Sequence, residues 1–298
     1  MGTDDVADAW RAHHRYVLDV AYRLLGSVSE AEDVVQEAFA RLVDRAGDEI
    51  EDVRGWLVVV ATRLCLDQLR SSRVKRESSV GAWLPEPVIE SDLVDPADRI
   101  TLDDSVRMAM LVVLERLTPA ERAAFVLHDV FGFSFEDVAR IVGRSLESCR
   151  QLASRARKRI HDQAEPSRYS VDPAELERIA DRFIAAAAEG DLAALKDVLD
   201  PNVVGWTDTG GMPGTPSRPV RGRDRVAERF LWFARTFGVT LQRMPVNGEP
   251  GVIARRDGRL FAVLAFETHD GRISQIHGIA DPMKLGYAAS VLGEGAGR

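Results

Sequence analysis

Cysteine is scarce: Cys65 and Cys149 are the only two in a chain of 298 residues. They stand far apart and within helical patterns, so neither a disulfide framework nor a metal-ligand spacing follows. No metal and no cofactor are expected. A run of about 18 apolar residues is also lacking. The acidic start, Met1 to Trp10, has none of the apolar core of a secretory signal. The protein is therefore expected to be soluble and cytoplasmic, with no membrane partner. Positive net charge is missing as well. A formal charge of −8 argues against a protein that coats nucleic acid non-specifically.

What is present is enough apolar residue for real cores, at a length that suits two or three domains. Charge comes in blocks. From Glu30 to Asp52 acids dominate, with Arg41 and Arg45 against them. From Arg54 to Arg76 the bias reverses, with only Asp67 opposing, and Arg140 to Arg159 is again basic. Alternating blocks suggest one surface for an acidic-patch partner and others for phosphates.

A first amphipathic helix carries Val17, Val20, Ala21 and Leu24 and stops near Gly26. Ser29 to Glu32 has the form of a capping box. Behind it Val35, Ala38, Phe39 and Leu42 make a core stripe, leaving Asp33, Gln36, Glu37 and Arg41 outside. A short acidic segment, Asp44 to Asp52, leads to a third helix from Val53, with Trp56, Leu57, Val60 and Leu64 expected inside. Arg63, Asp67 and Arg70 share a face, and the helix runs into the basic tail Arg70 to Arg76. Residues 1–77 thus read as an all-helical domain, followed by a linker over 78–100. Within it Trp83-Leu84-Pro85-Glu86-Pro87 cannot continue a helix and suits an extended segment that docks in a groove.

Residues 101–165 form a second helical domain. A helix is expected from Thr101 to Leu117, then a capping box with proline at Thr118-Pro119-Ala120-Glu121. Ser134 caps a helix ended by Gly143, and Ser145 caps the next. Cys149, Leu152, Ala153, Ala156 and Ile160 form its buried face. Glu147, Arg150, Gln151, Ser154 and Lys158 lie opposite, a helix-turn-helix with a polar outer face. After Pro166 the pattern changes. Helices at Ala174–Glu189 and Leu192–Leu199 and a strand at Val203–Asp208 precede a helix at Arg223–Phe237. Strands follow at Val239–Val246, Gly251–Arg256, Leu260–Thr268 and Arg272–Ile279, with hairpin turns at Asp257-Gly258 and Asp270-Gly271. Residues 172–288 therefore read as an α+β domain with a curved sheet around a cavity, and 289–298 as a flexible tail.

The runs Glu30–Arg45 and Val53–Arg76 together resemble region 2 of the sigma-70 family, in its extracytoplasmic-function (ECF) type. The run Leu117–Gly143 resembles region 4. The last domain is similar to the SnoaL-like branch of the NTF2-like fold, a cone-shaped α+β arrangement. The whole chain thus resembles ECF sigma factors with a SnoaL-like extension, a multidomain protein of two all-α sigma domains and one α+β domain. The resemblance implies that core RNA polymerase (β′ clamp helices and β flap) and promoter DNA are the partners, and that the chain is not an enzyme. Asp33, Gln36, Glu37 and Arg41 would dock on the polymerase. Arg54, Trp56, Arg63, Arg70, Arg73, Lys75 and Arg76 would face the −10 element. Arg144, Ser145, Glu147, Ser148, Arg150, Gln151, Ser154, Arg155, Arg157 and Lys158 would face the −35 element. Of these, Arg150 and Gln151 can make bidentate base contacts, and Ser154 can reach a base or a phosphate. Arg144, Arg155, Arg157 and Arg159 suit phosphates.

Trp83, Leu84, Pro85, Glu86 and Pro87 match the group's linker motif. Two further group motifs appear in altered form. One is Asp208-Thr209-Gly210-Gly211-Met212, in place of Asp-Gly-Gly-Gly-basic. The other is Asp281-Pro282-Met283-Lys284-Leu285, in place of Asn-Pro-Asp-Lys-Leu. The resemblance makes these the interdomain regulatory residues and implies control in cis, with no obligate separate anti-sigma protein. Whether the last domain takes a small ligand is not given by the sequence. Two other readings are a one-component regulator with a ligand-sensing domain and a SnoaL-like enzyme. The enzyme would use Asp208, His269, His277 and Asp281 for acid–base chemistry.

Overall fold

The structure is a computed structural model that describes residues 3–45, 50–77, 83–89, 100–163, 173–211 and 218–294. The side chains of 3–5, 72–77, Asp104, Gln163 and Pro173 fall outside that description too. The chain divides into two compact units. One holds the described parts of 3–77, 100–106 and 110–163, and the other holds 83–89, 107–109 and 173–294. The two helical segments read as separate domains share one unit, and the linker motif belongs with the α+β domain.

The first unit opens with α1 (Thr3–Leu25), α2 (Val28–Asp44) and α3 (Val53–Glu77). Gly26, at φ 68°, ends α1 in the left-handed region open to glycine. Ser27 then caps α2 by accepting from the Glu30 amide at 3.1 Å. The capping serine lies two residues before the expected Ser29, because the turn at Gly26 fixes where α2 can begin. The α2 stripe Val35, Ala38, Phe39 and Leu42 is buried as expected. Among the described residues of α3 the buried apolar side chains are Leu57, Val58, Ala61, Cys65, Leu66 and Leu69, whereas Trp56, Val60 and Leu64 are only half-buried. The run Leu57 to Ala61 is apolar on every side, so periodicity alone does not choose the inward face.

The helix expected from Thr101 begins instead at Met108: α4 spans Met108–Glu115, after one 3₁₀ turn at Asp104–Val106. Distant side chains hold the preceding backbone out of the helix. Asp19 accepts from the Thr101 amide at 2.7 Å and from its hydroxyl at 2.5 Å. Arg23 donates to the Thr101 carbonyl at 2.9 Å, to Ser105 at 2.7 Å and to Asp103 at 3.0 Å. Next come α5 (Pro119–Phe125), a π-helical turn (Val126–Val130), α6 (Phe135–Val142) and α7 (Leu146–Gln163). The caps are those the sequence indicates. Thr118 and Glu121 form a reciprocal box, and Ser134 accepts from the Asp137 amide. Gly143 closes α6 at φ 70°, and Ser145 accepts from the Ser148 amide.

The second unit contains α8 (Pro173–Glu189), α9 (Leu192–Val198), α10 (Arg223–Phe237) and one six-stranded sheet. Its strands are β1 (Leu199–Asp208), β2 (Val220–Arg221), β3 (Thr240–Val246), β4 (Glu249–Arg256), β5 (Arg259–His269) and β6 (Arg272–Ile279), in the order β2-β1-β6-β5-β4-β3. β3 to β6 form the antiparallel meander, but β1 pairs with β6 in parallel, so the sheet is mixed. Trp206, His277, Ala265, Gly251 and Met244 stand in one register row across it. By alternation Asp208 shares their face, and Ile276, Phe266, Leu264 and Val252 take the other. That second face carries the core. Phe183 of α8 lies 4.6 Å from Phe230 of α10 and 5.0 Å from Phe266, centroid to centroid. Beyond β6, α11 (Gly286–Val291) buries Ala288 and Val291. Glu294 accepts from the Leu260 amide at 2.6 Å and pairs with Arg255. Residues 289–294, expected as the start of a flexible tail, are therefore held by helix and carboxylate; 295–298 lie outside the described residues.

Candidate functional site

Asp33, Gln36, Glu37 and Arg41 all project from the exposed side of α2, and Arg41 pairs with Glu37 at 2.8 Å. On α3, Arg54 stacks over Tyr16 at 5.3 Å, and Arg70 pairs with Asp67 at 3.1 Å. Arg63 donates to the carbonyls of Arg140, at 3.3 Å, and Ile141, at 3.5 Å. Those carbonyls end α6, where the helix dipole favours a cation. Within this unit, a residue expected at the −10 element therefore touches the helix-turn-helix. Arg122 makes a second cross-link, donating to the Leu24 carbonyl at 2.8 Å and to Glu115 at 2.5 Å. The side chains of Arg73, Lys75 and Arg76 lie outside the described residues.

On α7, Cys149, Leu152, Ala153 and Ala156 are buried, and Arg150, Gln151, Ser154 and Lys158 are exposed, as are Arg144, Ser145 and Glu147 before them. Ser148 is half-buried. Not all the arginines face outward alone. Glu121 of α5 receives Arg155 at 3.1 Å and Arg159 at 2.6 Å, and Arg157 lies 3.5 Å from Asp129. Burial would push the Glu121 carboxyl up. The amide and hydroxyl of Thr118, with Arg155 and Arg159, more than offset this and hold it below the usual range. Arg155 and Arg159 brace α7 on α5, and Arg157 braces it on the π-helical turn, a use that their spacing does not reveal.

The regulatory residues named from the sequence converge in the second unit. The Leu84 amide donates to Asp208 Oδ2 at 2.8 Å. Lys284 Nζ donates to the Leu84 carbonyl at 2.6 Å and meets the same Asp208 oxygen at 2.5 Å. It also lies 4.0 Å from the centre of the Trp83 ring. Asp208 and Lys284 are only 5% and 9% exposed, so both charges are satisfied inside the protein. The other carboxylate oxygen of Asp208 takes the Gly210 amide at 3.1 Å. Gly210 has φ +64°, and a side chain there would meet the Asp281 carboxylate at 2.7 Å. The Asp281 backbone carbonyl in turn accepts from the Lys284 and Leu285 amides at 3.0 and 3.1 Å, which sets the lysine in place. Gly211, Pro282 and Leu285 shape these turns.

The strap from Leu84 to Ile89 is buried throughout. Pro85 and Pro87 suit this, since neither brings an amide that burial would leave unbonded. The strap has a second anchor that its own sequence does not mark. Asn247, in the left-handed region at φ 54° of the β3–β4 turn, accepts from the Val88 amide at 3.2 Å. Its own amide donates to the Val88 carbonyl at 2.7 Å, and Ile89 bridges to Val246. Asn247-Gly248 is a hairpin signal, which would have located the turn but not its partner 159 residues away.

The acid–base quartet does not assemble. Asp208 belongs to the clamp, and His269 is exposed beside Asp270. His277 contacts Glu267 at 2.6 Å on the face opposite the aromatic core. Among the described residues no cluster of metal-binding side chains occurs, and no helix is long and apolar enough to cross a membrane.

Comparison with known proteins bears on all three parts. The chain matches the families Sigma-70 region 2 over residues 9–74, Sigma-70, region 4 over 107–160, and SnoaL-like domain over 180–279. It is 42% identical over 294 residues to the probable ECF RNA polymerase sigma factor SigI of Mycobacterium tuberculosis (strain CDC 1551 / Oshkosh), covering 98% of this chain and 99% of the relative. To the ECF RNA polymerase sigma factor SigJ of M. tuberculosis (strain ATCC 25618 / H37Rv) it is 41% identical over 288 residues, 93% of this chain and 92% of that one. The crystal structure of M. tuberculosis SigJ superposes with a TM-score of 0.75 at 37% identity, covering 94% of this chain and 98% of the other. The chain belongs to the ECF RNA polymerase sigma factors of the sigma-70 family, in the group that carries a SnoaL-like domain after region 4.

Proposed function

We propose that this sigma factor docks on core polymerase through Asp33, Gln36, Glu37 and Arg41, reads the −10 element with α3, and reads the −35 element with α7. We further propose that its SnoaL-like domain restrains it in cis by gripping the linker. The reading of α2 rests on its exposed acidic face, and that of α7 on its exposed polar face. Restraint rests above all on one observation: Lys284 and Asp208 together hold the backbone of Leu84.

The reach of the linker supports an inhibitory sign for that restraint. The two promoter elements lie about 25 base pairs apart, on the order of 85 Å along B-DNA. Residues 77 to 100 span at most about 80 Å when fully extended. Arg63 at 3.5 Å from the Ile141 carbonyl belongs to a closed pair of regions that must separate to read both elements. A linker with 83–89 clamped is shortened, so the grip favours the closed pair, and release favours initiation. No obligate separate anti-sigma protein is needed for such control. The test is energy transfer between dyes at Arg11 and His161 in the full chain, with and without core polymerase. Polymerase should lower transfer, and Lys284→Met should lower it further at limiting polymerase. Identical transfer in both proteins at every polymerase concentration rejects the restraint.

A further inference from the structure

The arginines of α7 are not equivalent. Arg155 and Arg159 pair with Glu121, and Arg157 lies beside Asp129. Arg150 is exposed and makes no ion pair among the described residues; its contact is the ring of Phe135, 5.9 Å from the guanidinium carbon to the ring centre. That is within the range of a cation–π contact. Phe135 is itself held. The His128 ring stacks on it at 3.8 Å between centroids and 27° between planes. His128 Nδ1 lies 2.8 Å from the Phe133 carbonyl. A carbonyl only accepts, so Nδ1 carries the proton and the ring cannot turn without losing that bond. His128 comes from the π-helical turn Val126–Val130, an arrangement often found at functional positions.

A long flexible side chain such as that of arginine loses rotamer freedom when it binds. A ring that holds the guanidinium in advance removes part of that cost. We propose that Phe135, fixed by His128, is a positioning residue that aims Arg150 at a base edge of the −35 element. The inference rests on the reading of α7 given above and adds the residue that sets its geometry.

The test is in vitro transcription by the full chain with core polymerase, from templates with a randomised −35 segment, sequencing the products. Arg150→Ala should flatten preference at one base position. Phe135→Leu should reduce preference at that same position by about two- to five-fold, the scale of an exposed to partly buried cation–π contact, and leave the others unchanged. Phe135→Tyr, which keeps the ring, should retain it, and Phe135→Leu should add nothing to Arg150→Ala. If Phe135→Leu lowers output evenly at all positions, or if Phe135→Tyr flattens preference as Leu does, the positioning role is overturned while the reading of α7 stands. If Arg150→Ala leaves every preference intact, that reading itself falls, and the positioning role with it.

Discussion

Replacing Lys284 with methionine keeps most of the side-chain length and removes only the ammonium, which isolates the clamp's charge. Asp208 would then be a carboxylate at 5% exposure without its cation. The Leu84 carbonyl would lose a donor at 2.6 Å. Removing one partner of a buried ion pair costs about 3–5 kcal/mol. Asp208 keeps the amides of Gly210 and Leu84, so the lower end, about 3 kcal/mol, applies. Two units need not unfold together, so a single melting curve would mix them. Native-state hydrogen exchange of the full chain reads the clamp locally instead. The Leu84 amide, bonded to Asp208, should exchange roughly 100-fold faster in Lys284→Met, at about 1.4 kcal/mol per tenfold. Lys284→Met with Asp208→Asn should recover about tenfold of that, because no unpaired charge remains buried. The Val88 amide, held by Asn247 at 3.2 Å, should change much less than Leu84. Unchanged exchange at Leu84, or a double variant as fast as the two single effects combined, would refute the reasoning.

Two further outcomes concern the helical unit. The Glu121 carboxyl is lower in the folded protein than its ordinary value, so its contribution is present at neutral pH. That contribution is lost as the pH falls below the ordinary carboxylate value, about 4.3. Acid unfolding of α5–α7, followed by amide exchange from pH 6 to 3, should be shallower in Glu121→Gln, which should also be less stable at pH 6. An identical slope contradicts the assignment. Arg23→Met would leave Asp19 buried without its cation at 3.4 Å and release Thr101 and Ser105. Native-state hydrogen exchange of α1 and α2 should show a loss of about 3–5 kcal/mol, partly restored by Asp19→Asn. A loss under 1 kcal/mol would show that the bonds around Thr101 add little.

The elements readable from the sequence are those whose ends are set locally. Ser134, Gly143 and Ser145 cap and stop α6 and α7 through groups within four residues, so the helix-turn-helix was legible to its boundaries. The start of α4 was not, because Asp19 and Arg23, about 80 residues away, take the backbone groups that a helix from Thr101 would use. β2, a two-residue strand, leaves no pattern, and the segment after α11 is held by Glu294 reaching Arg255 and Leu260. The same division runs through the sites. The docking character of Trp83–Pro87 was visible from its prolines and its apolar pair. Its partners Asp208 and Lys284 came from motifs in altered form, and Asn247 from no motif at all. Burial on α7 follows its periodicity except at Ile160, which is half-buried, but which of its arginines brace it depends on Glu121, two helices earlier, and on Asp129 of the π-helical turn.

Control in cis is tested most directly by multiple-round in vitro transcription with core polymerase, comparing the full chain with Lys284→Met and with Lys284→Met/Asp208→Asn. Opening of the clamp should raise initiation in both variants at limiting sigma concentration, with the start site unchanged. Equal initiation by all three proteins, or lower initiation in proportion to clamp loss, would contradict restraint by the SnoaL-like domain.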